Sequence, residues 1–283
     1  MRTRLLFILL LVAFCPVKAG ARSPAQVAPT YADVSYGTDP KQTMDVYVPA
    51  GAKNTPILFI VHGGAWSGGD KQAEEVAGEN ITYWLEKGYV IVSTNYRVFP
   101  DVGPFQESED VAHAIGFAQK NAAKWGGNSE DLILMGHSAG AHLVALLAAR
   151  PEFAYLRGAQ PWRGTIVLDS AALDVVSLME REHPRFYNPV FGDDPLFWEQ
   201  VSPYHKLSQG ATPFLLVCSE GFNEMTCDEE RALAKRAKKF QIRTQILPQK
   251  LNHMDIMRTL GKAGPYTEAV NTFMESLLKP EKK

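Results

Sequence analysis

Short unbroken apolar runs recur along the chain between longer segments of mixed character. Residues 57–61 read ILFIV, and residues 132–135 read LILM. Runs of this kind are typical of strands that are buried on both faces of a mostly parallel sheet. The pattern predicts strands at 34–36, 44–48, 57–61, 90–94, 132–135, 165–168, 214–217 and 244–247.

Segments with helical periodicity separate the runs. Between 106 and 125, for example, Val111, Ile115, Ala118 and Ala122 fall on one helical face. Further helices are predicted at 72–87, 229–240 and 266–278. Strand and helix alternate throughout, which predicts an α/β fold whose mostly parallel central sheet carries helices on both faces.

One segment, 177–212, breaks this alternation. It is rich in aromatic residues and prolines but has no long periodic pattern. An insertion of this kind serves as a lid or substrate-binding segment in some domains, and packs over the edge of the sheet in others. Its charged residues, among them Glu180, Arg181 and Asp193, argue against the apolar lid of an interfacial lipase.

The N-terminus has the features of a secretory signal peptide. Arg2 and Arg4 precede an apolar run, 5–15, that is too short to span a bilayer, and small residues follow it. We therefore expect a signal peptide at 1–19, a flexible leader at 20–30 and a single domain at 31–280. The protein is predicted to be exported, to the periplasm or beyond, without stable membrane insertion.

Composition and charge agree with one globular domain. The chain has 283 residues, of which 46% are hydrophobic and 21% charged. Without the signal peptide it carries 26 basic and 31 acidic residues, so nothing favours nucleic acid or an anionic surface as a partner. Cys218 and Cys227 remain, and they either form a disulfide or stay two separately buried thiols.

The stretch 132–149 predicts a nucleophile. Its strand leads through Gly136-His137-Ser138-Ala139-Gly140 into an apolar helix, and this is the G-x-S-x-G nucleophile elbow. Small residues are needed at such a turn because strand and helix lie very close together. Ser138 is the candidate nucleophile.

An acyl-transfer site also needs donors for the oxyanion. Gly63, Gly64 and Ala65 follow a buried strand and have no bulky side chains, so their amides are candidates. The amide of Ala139, directly after the serine, is the second donor that such sites use.

The base is expected on a loop after the last strand. His253 fits this position, whereas the side chain of His137 is expected to point to the opposite face. Trp66, Tyr96 and Phe99 are candidates for the walls of the substrate pocket. No metal site or cofactor is predicted.

The acid that orients the base is expected on the loop after strand 214–217. Glu224 is our choice in this loop, with Asp228 and Glu220 as alternatives. Asp228 also fits the start of the next helix, where an acidic side chain meets free amides. Asp169 and Asp174, which follow the preceding strand, offer a different placement.

Four segments together resemble the α/β-hydrolase superfamily: HGGAWSGGDK at 62–71, NYR at 95–97, GHSAGAH at 136–142 and NHMDI at 252–256. The similarity extends over about residues 31–280 and is greatest to the esterase branch with carboxylesterases, feruloyl-esterase-like proteins and arylformamidases. The segment 187–207 also resembles that branch's substrate-side segment. The resemblance implies a serine esterase, with Ser138 and His253 as nucleophile and base and with Gly63, Gly64, Ala65 and Ala139 around the oxyanion. It departs from the family at the acid, because Glu224 stands in a loop that normally supplies an Asp.

These observations predict an exported serine hydrolase that acts on small-molecule carboxylic esters without a cofactor. An amidase, formamidase or peptidase with the same catalytic groups stays open, as does a non-catalytic binding protein on the same scaffold. The substrate and the oligomeric state are open as well.

Overall fold

The structure is a computed structural model that describes residues 27–73, 76, 78–221 and 224–279. The predicted signal peptide lies outside the described residues, as does most of the predicted leader. Within the described part, no helix has the length and apolar character required to cross a membrane.

A single mixed sheet organises the domain. Its strands among the described residues are β1 Tyr31–Ser35, β2 Thr43–Tyr47, β3 Thr55–Val61, β4 Val90–Thr94, β5 Gly127–His137, β6 Gly164–Leu168, β7 Phe214–Ser219 and β8 Thr244–Gln249. Their order is β1-β2-β4-β3-β5-β6-β7-β8. The strand β2 is antiparallel to both of its neighbours, and all other pairs are parallel. This confirms the predicted α/β fold.

Helices cover both faces of the sheet. They are α1 Glu79–Glu86, α2 Pro104–Asn121, α3 Ala139–Ala149, α4 Glu152–Tyr155, α5 Val175–Glu180, α6 Tyr187–Phe191, α7 Pro195–Gln200, α8 Pro203–Lys206, α9 Glu224–Lys239, α10 His253–Thr259 and α11 Pro265–Leu278, with a 3₁₀ turn at Ala122–Trp125. Alternate residues of β3 point into two apolar clusters: Ile57 and Phe59 into one, Leu58 and Ile60 into the other. The unbroken apolar runs therefore reflect burial on both faces.

Two helices differ from the sequence prediction in ways that affect the site. The helix α9 begins at Glu224, five residues before the predicted start at 229. The second half of the loop in which we sought the catalytic acid, residues 224–228, is therefore helical. The segment 177–212 contains the short helices α6, α7 and α8, and most of α5.

A disulfide joins Cys218, in β7, to Cys227, in α9. Both cysteines are buried. Of the two arrangements that the sequence left open, the structure has the disulfide.

Candidate active site

The turn between β5 and α3 holds Ser138 in a backbone conformation that is rare for a residue with a side chain. Its φ is 56° and its ψ is −119°. A Cβ atom on Gly136 would lie 2.3 Å from the Gly140 carbonyl oxygen, and one on Gly140 would lie 2.3 Å from that of Val61. The two glycines therefore permit the close approach of strand and helix that this turn requires.

The side chain of His253 contacts that of Ser138. His253 is the first residue of α10, and the Asn252 side chain caps this helix by accepting a hydrogen bond from the Asp255 amide. Its Nε2 lies 2.9 Å from the Ser138 Oγ. The structure thus brings the predicted nucleophile and the predicted base into hydrogen-bonding contact.

Asp169 completes a chain of three side chains. It follows β6 directly, and its Oδ2 lies 2.7 Å from the His253 Nδ1. Because a carboxylate only accepts hydrogen bonds, His253 donates from Nδ1, and its Nε2 is left to accept from the Ser138 hydroxyl. This is the arrangement in which a histidine can take a proton from a serine.

Our choice of Glu224 as the acid is therefore wrong, as are Asp228 and Glu220. Glu224 is the first residue of α9. Asp228 and Glu220 are exposed and lie near Arg231. Asp174 instead caps α5 by accepting from the Ser177 amide. Asp169 is the only residue of this group that contacts His253 in the described part of the chain.

The carboxylate of Asp169 is fully buried and receives several hydrogen bonds. Ser219, the last residue of β7, donates its amide to Oδ1 at 2.6 Å, and its hydroxyl lies 2.8 Å from each oxygen. Burial raises the pKa of Asp169, but hydrogen bonds from His253, Ser219 and Thr226 outweigh burial and hold this pKa below its usual value. Asp169 is therefore ionised around neutral pH.

His137 lies beside His253, not on the opposite face as we expected. The two ring centroids are 4.7 Å apart, and the His137 Nε2 donates to the His253 carbonyl at 2.9 Å. Burial, together with the proximity of His253, lowers the pKa of His137 to about 4. A neutral His137 thus fixes the backbone of His253.

The turn after β3 faces the nucleophile. A Cβ on Gly63 would lie 2.9 Å from the Cβ of Ser138, and Gly64, Ala65 and Trp66 all have positive φ. The Tyr96 hydroxyl donates to the His62 carbonyl at 2.9 Å, and the two rings stack at 4.5 Å. These contacts hold the turn next to Ser138.

A comparison with known protein families identifies the family to which the chain belongs. The profile of the BD-FAE family matches residues 44–236, which is more than half of the 283-residue chain. The chain belongs to the BD-FAE family. The matched range includes Ser138 and Asp169, but it ends before His253.

Curated relatives of this BD-FAE protein match different shares of its length. It is 25% identical over 265 residues to Esterase LipC of Mycobacterium tuberculosis (strain ATCC 25618 / H37Rv), a match that covers 86% of this chain and 64% of LipC. It is 29% identical over 165 residues to a probable isoprenylcysteine alpha-carbonyl methylesterase, ICME, of Oryza sativa subsp. japonica. This second match covers 56% of this chain and 39% of the rice protein. The chain therefore spans less than two thirds of either relative.

Solved structures share the fold. A truncated form of a carbohydrate esterase from gut microbiota superimposes with a TM-score of 0.75 at 16% identity, over 87% of this chain and 95% of that one. Esterase B from Lactobacillus rhamnosis, inhibited by a tributyrin phosphonate, superimposes with a TM-score of 0.71 at 19% identity. The match covers 89% of this chain and 88% of that one. At these identities the likeness shows the α/β-hydrolase fold that the sequence predicted.

A cavity of about 640 Å³ opens over Ser138 in this BD-FAE chain. Trp66, Pro184, Phe186, Tyr187, Met225 and Met254 supply most of its large apolar lining side chains. The candidates Tyr96 and Phe99 are not among the described lining residues. Tyr96 is buried beneath the turn at His62, and the Phe99 amide donates to the Trp66 carbonyl at 2.8 Å. Both support the turn and do not line the cavity.

The side chain of His142, on α3, connects three parts of the site. The Trp66 Nε1 donates to its Nδ1 at 3.1 Å, so its Nε2 carries the proton and donates to the Val201 carbonyl at 2.7 Å. Burial lowers the pKa of His142 to about 4, although the Val201 carbonyl opposes this shift. A neutral His142 thus ties the wall residue Trp66 to the segment 177–212.

Sequence reasoning missed Ser219 and His142, and it ranked Asp169 too low. For Asp169 the signal was present, since a polar residue directly after a buried parallel strand lies at the edge of the sheet where sites form. Ser219 has the same signal after β7, but a serine there has many structural explanations. His142 had no readable signal, because its two partners, Trp66 and Val201, are distant in sequence.

Proposed function

We propose that this protein is a serine esterase that hydrolyses carboxylic esters through an acyl-enzyme. The observation that carries the proposal is the continuous hydrogen-bonded chain from Ser138 through His253 to Asp169, with distances of 2.9 and 2.7 Å. The names of relatives such as Esterase LipC, together with membership of the BD-FAE family, support an ester as the substrate.

In the first half of the reaction, Ser138 attacks the ester carbonyl. The His253 Nε2 takes the serine proton as the bond forms, and the ionised Asp169 stabilises the resulting imidazolium through Nδ1–H. The proton then passes to the leaving alcohol. Because His253 is already in contact with both partners, no rearrangement is needed before the attack.

The negative charge that develops on the carbonyl oxygen needs amide donors nearby. Ala139 is the first residue of α3, and the first amides of a helix have no partner inside the helix. We assign the second donor to the Gly63-Gly64-Ala65 turn, which lies against Ser138. One such donor contributes about 3 kcal/mol to the transition state.

In the second half, water attacks the acyl-enzyme and His253 again moves the proton. The apolar wall of the cavity, including Trp66 and Tyr187, would receive uncharged parts of the substrate. Pro184, Phe186 and Tyr187 come from the segment 177–212, and this favours a substrate-binding role for that segment. We further propose that the protein is exported, because disulfides persist in oxidising compartments and one is present here.

Two experiments on the purified protein test this function. A fluorophosphonate probe should label the wild type, and Ser138→Ala should abolish labelling and lower kcat on p-nitrophenyl esters on the order of a million-fold. A matched control is Ser208→Ala, which removes a hydroxyl that binds the Ala149 carbonyl at a distance from the cavity.

Assaying short esters, N-formyl aryl amides and peptides side by side then defines the reaction. Fastest turnover of the esters supports the proposal, and fastest turnover of an amide or peptide replaces esterase by amidase or peptidase. A wild type that is neither labelled nor active on any of them is a binding protein on this scaffold.

A further inference from the structure

Asp169 depends on its neighbouring strand for most of its hydrogen bonds. It stands at the end of β6, with a φ of 57°, and its own strand gives its carboxylate no donor among the described contacts. Ser219 at the end of β7 supplies an amide and a hydroxyl, and Thr226 in α9 supplies a second hydroxyl. The two hydroxyl oxygens are 3.4 Å apart.

The disulfide flanks these two donors. Cys218 directly precedes Ser219, and Cys227 directly follows Thr226. The bridge brings the Cα atoms of the two cysteines to 5.0 Å and so closes the loop that contains both donors. A shift of either β7 or the first turn of α9 would move a donor away from Asp169, and the disulfide restricts this shift.

We propose that Cys218 and Cys227 position the acid of the catalytic triad, by holding the Ser219 and Thr226 donors against the Asp169 carboxylate. The inference rests on the proposed function, because it assigns that role to Asp169. Ser219 and Thr226 are positioning residues in this scheme: they touch Asp169 and not the reacting atoms.

The need for such donors follows from the burial of Asp169. A buried carboxylate tends to take up a proton unless hydrogen bonds or a cation stabilise its charge. The titratable groups that face the His253–Asp169 pair are His137 from β5, Glu230 from α9 and Tyr266 from α11, and Arg258 from α10 lies near His137. Burial raises the pKa of Glu230 well above its usual value, and neither of its carboxyl oxygens has a hydrogen-bond partner among the described residues.

The first test records the proton NMR resonance of the His253 Nδ1–H in the Ser138→Ala background, where it does not depend on turnover. In Ser219→Ala the Asp169 carboxylate accepts fewer hydrogen bonds, and it therefore accepts the one from the His253 Nδ1–H more strongly. We expect this resonance to move downfield in Ser219→Ala. Ser108→Ala is the matched control, because it removes another buried serine hydroxyl, one bound to the Phe105 carbonyl. An unchanged resonance in Ser219→Ala would overturn the role of Ser219.

The second test removes the disulfide with Cys218→Ala/Cys227→Ala in the active enzyme. We expect kcat to fall about tenfold, because a hydrogen bond to a charged group is weakened. A change in KM reports instead on Met225, which belongs to the same turn and lines the cavity. In the Ser219→Ala background, removal of the disulfide should lower kcat by less, because the disulfide acts in part through the Ser219 hydroxyl, which this background already lacks. An equal loss of kcat in the wild-type and Ser219→Ala backgrounds contradicts the proposal. A lower melting temperature with unchanged kcat contradicts it as well.

A third pair of variants keeps the disulfide, so the test holds even if the cysteine variant does not fold. Thr226→Val removes the hydroxyl at similar volume and should lower kcat, whereas Thr226→Ser retains the hydroxyl and should keep most of the activity. Equal kcat in the two variants overturns the role of Thr226. If Ser138→Ala keeps wild-type turnover, the proposed function itself fails, and the Nδ1–H resonance of His253 still reports whether Ser219 acts on Asp169.

Discussion

The ends of β5 and β6 lie side by side in the sheet, yet they hold their functional residues by different means. At the end of β5, Ser138 is fixed by the backbone: two glycines let α3 approach β3, and the turn holds Ser138 at a φ of 56°. At the end of β6, Asp169 is fixed by hydrogen bonds from Ser219, Thr226 and His253. The position of the proposed nucleophile thus depends on local sterics, and that of the proposed acid depends on contacts between distant parts of the chain.

This difference explains which parts of the site could be predicted. The backbone constraint at Ser138 comes from residues that are adjacent in sequence. The motif G-x-S-x-G could therefore be recognised in the sequence. The partners of Asp169 are 50 and 84 residues away, and no spacing rule connects them. The expectation that the acid follows β7 led to Glu224, whereas Ser219 at that strand end donates to the acid of the neighbouring strand.

The largest effect on this comparison is expected from Gly140→Ala. The new Cβ would lie 2.3 Å from the Val61 carbonyl oxygen and 2.4 Å from that of His62, both backbone atoms that cannot rotate away. We expect a loss of about 4 kcal/mol in the free energy of unfolding, together with impaired activity. Unfolding in denaturant measures the loss in the free energy of unfolding. Gly103→Ala is the control, because its φ is −103° and the atom nearest to its Cβ position, the Gln106 Oε1, lies 3.7 Å away, which is an ordinary contact. Equal stabilities would show that backbone proximity does not hold the elbow.

A second prediction contrasts Asp169 with Glu107, a buried carboxyl group on α2, which packs against α3. Burial raises the pKa of Glu107 from 4.5 to about 9. The unfolded chain loses this proton near pH 4.5, whereas the folded chain keeps it. The stability of the wild type relative to Glu107→Gln should therefore fall as pH rises from about 4.5 to 9, by up to about 3 kcal/mol at pH 7. Melting temperatures across this range measure the difference, and a constant difference would contradict it.

The smallest effect concerns the disulfide on the acid side. Its loop has a sequence separation of 9 residues. Closing a loop of this length stabilises a protein by about 2.5 kcal/mol through the unfolded state. Cys218→Ala/Cys227→Ala should lower the free energy of unfolding by this amount. A single Cys218→Ala variant should lose about as much, because either change breaks the same bond. No change in either variant would show that the disulfide adds nothing to stability.

The fold was more predictable than the site because the same sequence signal, an apolar run for each buried strand, recurs along the chain. Each buried strand, such as β3 or β7, carries an apolar run that burial on both faces requires. The start of α9 at Glu224 was missed because the apolar pattern of this helix becomes clear only from Glu229 onward. The segment 177–212 has no period because its helices are only four to six residues long.

The most direct test of the account compares Asp169→Asn with Glu224→Gln, by kcat and KM on the best p-nitrophenyl ester. An amide in place of the Asp169 carboxylate keeps the volume but cannot hold His253 in the required tautomer, so kcat should fall about ten-thousand-fold. Glu224→Gln should keep the kcat of the wild type. The opposite result, with full activity in Asp169→Asn and loss in Glu224→Gln, would contradict the assignment of Asp169 as the acid.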